Sequence, residues 1–204
     1  MPTPEPLPRG TLTGTPYLTA AAHLTPEDGT CLMEAVSAAA GLRWNDSPSC
    51  THPLLAHLAR LVNDAMSEDG RQRLGALVPA LVAAMPDGPA TTARATAHVA
   101  TTCTEHGLRI RPTPLLAHLH RVATAELRHE QGSASRPGRS LLVRMRRSVF
   151  LHGPASRAVE QSVEACRRLP APERDAALGL LLHEGLTAVA IECHPHWSRG
   201  VASV

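Results

Sequence analysis

Residues 51–66 read THPLLAHLARLVNDAM, and the spacing of their apolar side chains decides the fold. Leu54, Leu55, Leu58, Leu61, Val62 and Ala65 recur at intervals of three and four, the period of one face of an α-helix. Thr51 stands before them as the predicted N-cap. Almost the same words return downstream: PLLAHLAR at 53–60 is echoed by PLLAHLHR at 114–121. The shared leucines predict core positions on two similar helices, whether through an old duplication or through one packing solution used twice.

Helix signals extend in both directions from this stretch. Upstream, Thr25, Pro26, Glu27 and Asp28 predict a cap and first turn, Leu32, Val36, Ala39 and Ala40 share a face, and Gly41 is placed to stop that helix. Downstream, a helix is predicted from Ser67 with Glu68 and Asp69 in its first turn and a kink at Pro79. MPDGPA at 85–90 is a turn, followed by helices over 90–106 and 113–130. EQGSASRPGRS at 130–140 has the composition of a flexible connector. Beyond it come a basic helix or strand, SLLVRMRRSVF, and helices over 155–168 and 172–192. The last carries AALGLLLHEGLTAVAI, apolar on almost every side, which predicts a course through the middle of the fold.

Composition agrees with this pattern. Hydrophobic residues make up 43% of the 204-residue chain but aromatic ones only 2%, so the core is built from Ala, Leu and Val, which favours close-packed helices over a sheet. The expectation is an all-α fold: a single domain of seven to eight helices over 21–204, with a disordered Pro-rich arm at 1–20. All 20 basic residues are Arg, which excludes a Lys Schiff base or Lys general base. A net charge of +2 does not by itself argue for nucleic acid. The 5 cysteines lack any CxxC pair and read as reduced thiols of a cytosolic protein. The N-terminus has no signal-peptide core, and the longest apolar run is broken by His183 and Glu184, so a cytoplasmic location without a membrane span is expected.

The two PLLAHL copies differ most just before they begin. Gly41-Leu42-Arg43 leads into WNDSPSCTH, whereas Gly107-Leu108-Arg109 leads into only IRPT. A longer polar loop costs conformational entropy that packing does not require, which marks it as a candidate site. It brings Trp44, Asn45, Asp46, Cys50 and His52, an aromatic surface, a carboxylate, a thiol and an imidazole, into one segment. Cys50 precedes a helix N-terminus, where the dipole favours thiolate.

Other candidates surround this loop. Glu34 is either a solvated glutamate or a base facing the loop. Asn63 and Asp64 are poor mid-helix residues, placed where they can support the loop or cap the next helix. His57 and Arg60 lie one turn apart on the polar side of their helix, as on a solvated face. His183 and Glu184 interrupt the most apolar helix and need partners if buried. Arg136, Arg139, Arg144, Arg146 and Arg147 concentrate charge, and Arg144 and Arg147 suit a carboxylate, sulfate or phosphate. ECHPHW at 192–197 offers metal-ligand types, but adjacent residues rarely converge on one ion and no second cluster accompanies it, so no metal and no cofactor is expected. The catalytic candidates are thus Glu34, Asp46 and His52; the binding candidates are Trp44, Asn45, Cys50, Asn63, Asp64, Arg144 and Arg147.

From Cys31 to Leu74 the chain resembles a family of small helical proteins from actinobacteria and their phages, which repeat a Leu-Met-Glu-Ala-Val-Ser, Trp, Asp-x-Pro, Cys, Pro-Leu, Arg, Asn-Asp pattern. That resemblance implies a helical fold and a setting in specialised metabolism. One such setting is the two-protein enzyme that closes the aziridine ring in azinomycin-type biosynthesis with loss of sulfate. It implies a small polar substrate bearing an amine or anion and a second helical subunit. Intramolecular substitution needs mainly positioning and a group to take the amine proton. Two other classes remain open: a non-catalytic helical partner-binding protein, and an Arg-driven nucleic-acid binder. The discriminating observation is whether the 44–52 loop borders a closed concavity containing inward-facing carboxylates.

Overall fold

The computed structural model describes residues 16–132 and 140–193. All regular structure among the described residues is helical: α1 (Leu32–Ala39), α2 (Pro53–Ala65), α3 (Glu68–Gln72), a 3-10 turn (Arg73–Leu77), α4 (Val78–Val82), α5 (Pro89–Ile110), α6 (Pro114–Gly132), α7 (Leu141–Phe150), a π-helical turn (Leu151–Ala155), α8 (Ser156–Arg167) and α9 (Ala171–Cys193). Seven of these helices have eight residues or more, so the all-α expectation holds.

The core forms where the apolar stripes meet. α5 lies against α6, α8 and α9, and α2 lies across α8 and α9. Leu54, Leu55, Leu58 and Val62 of α2 are buried with Leu178, Leu181, Leu182 and Val189 of α9 and with Val99 of α5. Each such leucine contributes about 2 kcal/mol of apolar burial. Small residues set the spacing: a Cβ on Gly185 would come 2.7 Å from Leu58 Cδ2, so glycine is what lets α9 approach α2 this closely. α9 is 23 residues long, with an 18-residue stretch of mean hydropathy 1.4, and is long and apolar enough to cross a membrane by length and composition only. In this fold its buried face packs on α2, α5 and α8.

Several boundaries differ from those expected. α1 starts at a Cys31 cap rather than at Thr25, because Glu34 completes a capping box with Cys31 whereas Thr25 and Asp28 close only a local turn. Residues 17–19 are not a free arm: Leu18 is wholly buried, Gln72 bonds both its N–H and its carbonyl, and Thr19 N–H bonds Thr30 O. Residues 1–15 of the expected arm, and 133–139 of the expected connector, lie outside the described residues. Thr51 does not cap α2. Its hydroxyl donates to Leu81 O at 2.8 Å, and His52 takes the N-cap position without a side-chain capping bond. Pro79 opens α4 instead of kinking a longer helix.

The two PLLAHL copies each open a helix at their proline, at Pro53 and Pro114, but differ in what precedes them. Gly41 ends α1 with a φ of 66°, while Gly107 continues α5 as far as Ile110. Of the shared leucines, Leu55 and Leu58 and their counterparts Leu116 and Leu119 are all buried, as expected, whereas Leu54 is buried and its counterpart Leu115 is 44% exposed because α6 runs along the edge of the bundle.

Candidate functional site

The loop after α1 is built by short-range bonds and then clamped from α2. Asn45 Nδ2 donates to Arg43 O at 2.6 Å, and its Oδ1 accepts Ser47 N–H at 2.8 Å, closing an Asx turn. Trp44 Nε1 donates to His23 O at 3.2 Å, so the indole serves as a structural wedge against the 16–31 strap. Arg60 reaches up from α2, donating to Asp46 O at 2.8 Å and Ser47 Oγ at 3.0 Å, with its Nε 3.6 Å from Asp46 Oδ2. This clamp holds the loop over the α2 N-terminus.

Beneath it opens a cavity of about 680 Å³, walled by Ser47, Pro48 and Ser49 of the loop, by α2, and by the π-helical turn and α8 on the far side. The π turn has an identifiable cause. Pro154 has no N–H to donate to the carbonyl four residues earlier, so the helix widens, and both the N–H and the hydroxyl of Ser156 bond to Leu151 O. The widened turn puts His152 on the cavity wall.

Four polar side chains converge there: His57 and Arg60 from α2, His152 from the π turn and Glu160 from α8. His57 Nε2 is buried without a hydrogen-bond partner and lies 3.5 Å from Glu160 Oε1, near enough for attraction but not aligned as a hydrogen bond. Burial and the Arg60 guanidinium together hold the His57 pKa below its ordinary value, against the opposing pull of Glu160. At neutral pH the imidazole is therefore uncharged, with a ring nitrogen able to take a proton. A neutral imidazole, a carboxylate 3.5 Å away and a guanidinium one turn along the same helix can bind an anion and accept a proton beside it.

The predicted site residues divide among different places. Glu34 is buried away from the cavity and accepts from His23 N–H and Cys31 N–H, with His23 Nδ1 at 3.0 Å. Burial pushes its carboxyl up, but the donors from Cys31 and His23 outweigh this and leave it below the usual range. Asn63 is wholly buried and ties α1 to the strap, accepting Leu32 N–H and donating to Thr19 O at 2.9 Å. Asp64 accepts the N–H of Ala21, the described non-glycine residue with a positive φ. Glu34, Asn63 and Asp64 thus fasten residues 18–31 to the bundle. Asp46 does not line the cavity but pairs with Arg60, which does, and Cys50 packs half-buried against the core.

His52 is fully buried, with Nε2 3.1 Å from both Thr92 O and Thr96 Oγ1 and with Nδ1 unpartnered. Burial pushes its pKa down to about 4. Its neighbours Thr51 and Pro53 line the first cavity, while Thr92 and Thr96 line a second of about 640 Å³, so His52 stands in the wall between them. Arg144 and Arg147 also line this second cavity.

Sequence reasoning missed Glu160 and His152 and read His57 and Arg60 as a solvated face. The available signal was LHGPA at 151–155, a Gly-Pro break beside a histidine inside a helical pattern. His183 is exposed and needs no partner, while Glu184 pairs with His106 Nδ1 at 2.8 Å and with Arg109 at 2.8 Å. Glu192 bonds Arg94 at 2.9 Å and Cys193 packs partly buried against the core; residues 194–197 of the ECHPHW cluster, together with Arg136 and Arg139, lie outside the described residues. Among the described residues no group of three or more His, Cys, Asp or Glu is arranged to hold a metal.

No family model matches the chain, and no curated protein or solved structure matches it either.

Proposed function

We propose that the chain is a small-molecule enzyme, or the substrate-holding subunit of one, that takes a small polar molecule bearing an amine and an anionic group into the cavity under the 44–52 loop. The observation that carries this is the pair of His57, neutral, and Glu160, 3.5 Å apart, lining a cavity together with Arg60. The reaction class it suits best is intramolecular cyclisation with loss of an anion. The amine nitrogen attacks the adjacent carbon, the C–O bond to sulfate breaks with its electron pair leaving on sulfate, and the amine proton passes to the His57–Glu160 pair. Glu160 stabilises the resulting imidazolium, and Arg60 attracts the departing anion. Such a step draws on positioning more than on an activated nucleophile.

The test uses 2-aminoethyl hydrogen sulfate, which carries amine and leaving group on neighbouring carbons. Saturable binding that shifts the His57 imidazole resonances, accompanied by sulfate release that disappears in His57→Gln, supports the proposal. Absence of binding, or binding indifferent to Arg60→Gln, overturns it.

A second role, as one member of a helical complex, is favoured by α7. Leu141, Leu142, Met145 and Val149 lie on its exposed side, and Leu142 is 77% exposed. A face of that kind on a chain of this size fits a protein contact. Sedimentation of the chain before and after Leu142→Asp tests it, since a contact through α7 predicts association that the aspartate suppresses.

A further inference from the structure

The second cavity is separate from the first in chemistry. The two share Met85 and Leu151 as a common wall, but the second opens on the start of α5 and the end of α7. Its surfaces are largely apolar, from Pro86, Pro89, Ala93 and Phe150, with Thr92 and Thr96 of α5, Glu126 of α6 and Arg144, Arg147 and Ser148 of α7 as its polar side chains.

Charge where α6 and α7 border the cavity is unbalanced. Arg146 bonds Glu126 at 2.7 Å and Glu130 at 2.5 Å. Arg147 spends its donors on Glu130, with Nη2 at 2.6 Å and Nε at 3.1 Å, and on Pro89 O. Glu130 is buried, so these two arginines are held in place as its counter-charges. Arg144, one turn before Ser148 and exposed, has no carboxylate within ion-pair distance among the described residues. Three guanidinium groups thus face two carboxylates, and the surplus positive charge sits at the rim of an apolar cavity. The first turn of α5, which also borders it, has no acidic residue and no side-chain cap, so its dipole adds to the same sign.

We propose that this cavity binds a free amphipathic carboxylate or sulfate, with its hydrocarbon or aromatic part against Ala93 and Phe150 and its anionic end on Arg144. A cavity of this volume accommodates a drug-sized ligand; of its charged lining residues Glu126 and Arg147 are engaged in ion pairs and Arg144 is not, so the site suits a ligand of one negative charge and one apolar arm. The inference does not depend on the chemistry assigned to the first cavity.

Octanoate and octan-1-ol, titrated calorimetrically into the full chain at low salt, test it. Octanoate binds saturably and more tightly than octan-1-ol. Arg144→Gln weakens octanoate about tenfold, corresponding to about 1.4 kcal/mol, and leaves octan-1-ol unchanged. Ser148→Trp, at an exposed helical position on the cavity rim, obstructs both ligands without disturbing the fold. Equal affinity for acid and alcohol, octanoate binding indifferent to Arg144→Gln, or binding of both ligands unaffected by Ser148→Trp would each overturn the proposal.

Discussion

Replacing Glu34 with glutamine separates a structural carboxylate from a catalytic one. The Glu34 side chain is 1% exposed; its Oε1 accepts His23 N–H, and its Oε2 accepts Cys31 N–H at 2.7 Å with His23 Nδ1 at 3.0 Å. A glutamine keeps the shape but has one oxygen, so in either orientation its amide N–H₂ meets a backbone N–H. The change removes at least one bond to a charged acceptor and leaves a buried donor unsatisfied, a loss of about 3 kcal/mol. Urea denaturation at pH 7 measures it as a lowered midpoint at unchanged slope. The pH dependence has a definite sign. Because the folded-state pKa lies below the ordinary 4.5, the carboxylate's stabilisation is complete above pH 4.5 and is lost as pH falls through the folded value. The gap between wild type and Glu34→Gln is therefore constant from pH 7 to 5 and narrows below 4.5. A gap under about 0.5 kcal/mol at pH 7, or one that does not narrow in acid, would refute the assignment of Glu34 to fastening the 18–31 strap.

Two further outcomes follow from buried positions. His52, with its pKa pushed down to about 4, must lose its proton to fold, so wild-type stability falls by about 1.4 kcal/mol per pH unit as pH drops from 6.5 toward 4. His52→Gln flattens that slope in a thermal melting series, leaving the contribution of His57, whose pKa is also lowered; a slope unchanged from wild type shows that His52 does not carry it. Gly185→Ala forces a Cβ to within 2.7 Å of Leu58 Cδ2 and costs about 1–2 kcal/mol net, overpacking partly offset by better helix propensity; chemical denaturation reads the loss, and a stabilised variant would show that the α2 and α9 contact has slack.

The helices were legible because their signals are local. The α2 stripe, the Ser67 cap, the turn at 85–90 and the Pro89 and Pro114 starts each depend on a few neighbouring residues. The loop at 44–52 was also legible as a place to look, and it does form one wall of a cavity. What could not be read was which side chains face that wall. Glu34 resembled a pocket base because its partners, His23 and Cys31, lie across a strap whose course is set by Leu18 burial and by Gln72 and Asn63.

By itself the sequence determined an all-α chain with an Ala- and Leu-rich core, since helical period and capping are properties of contiguous residues. Tertiary structure alone decided that one PLLAHL helix became central and the other peripheral, and that His57, Arg60 and Glu160 share a cavity. The reason is physical: burial and pairing depend on which faces of distant helices meet, and identical words on two helices carry no record of that.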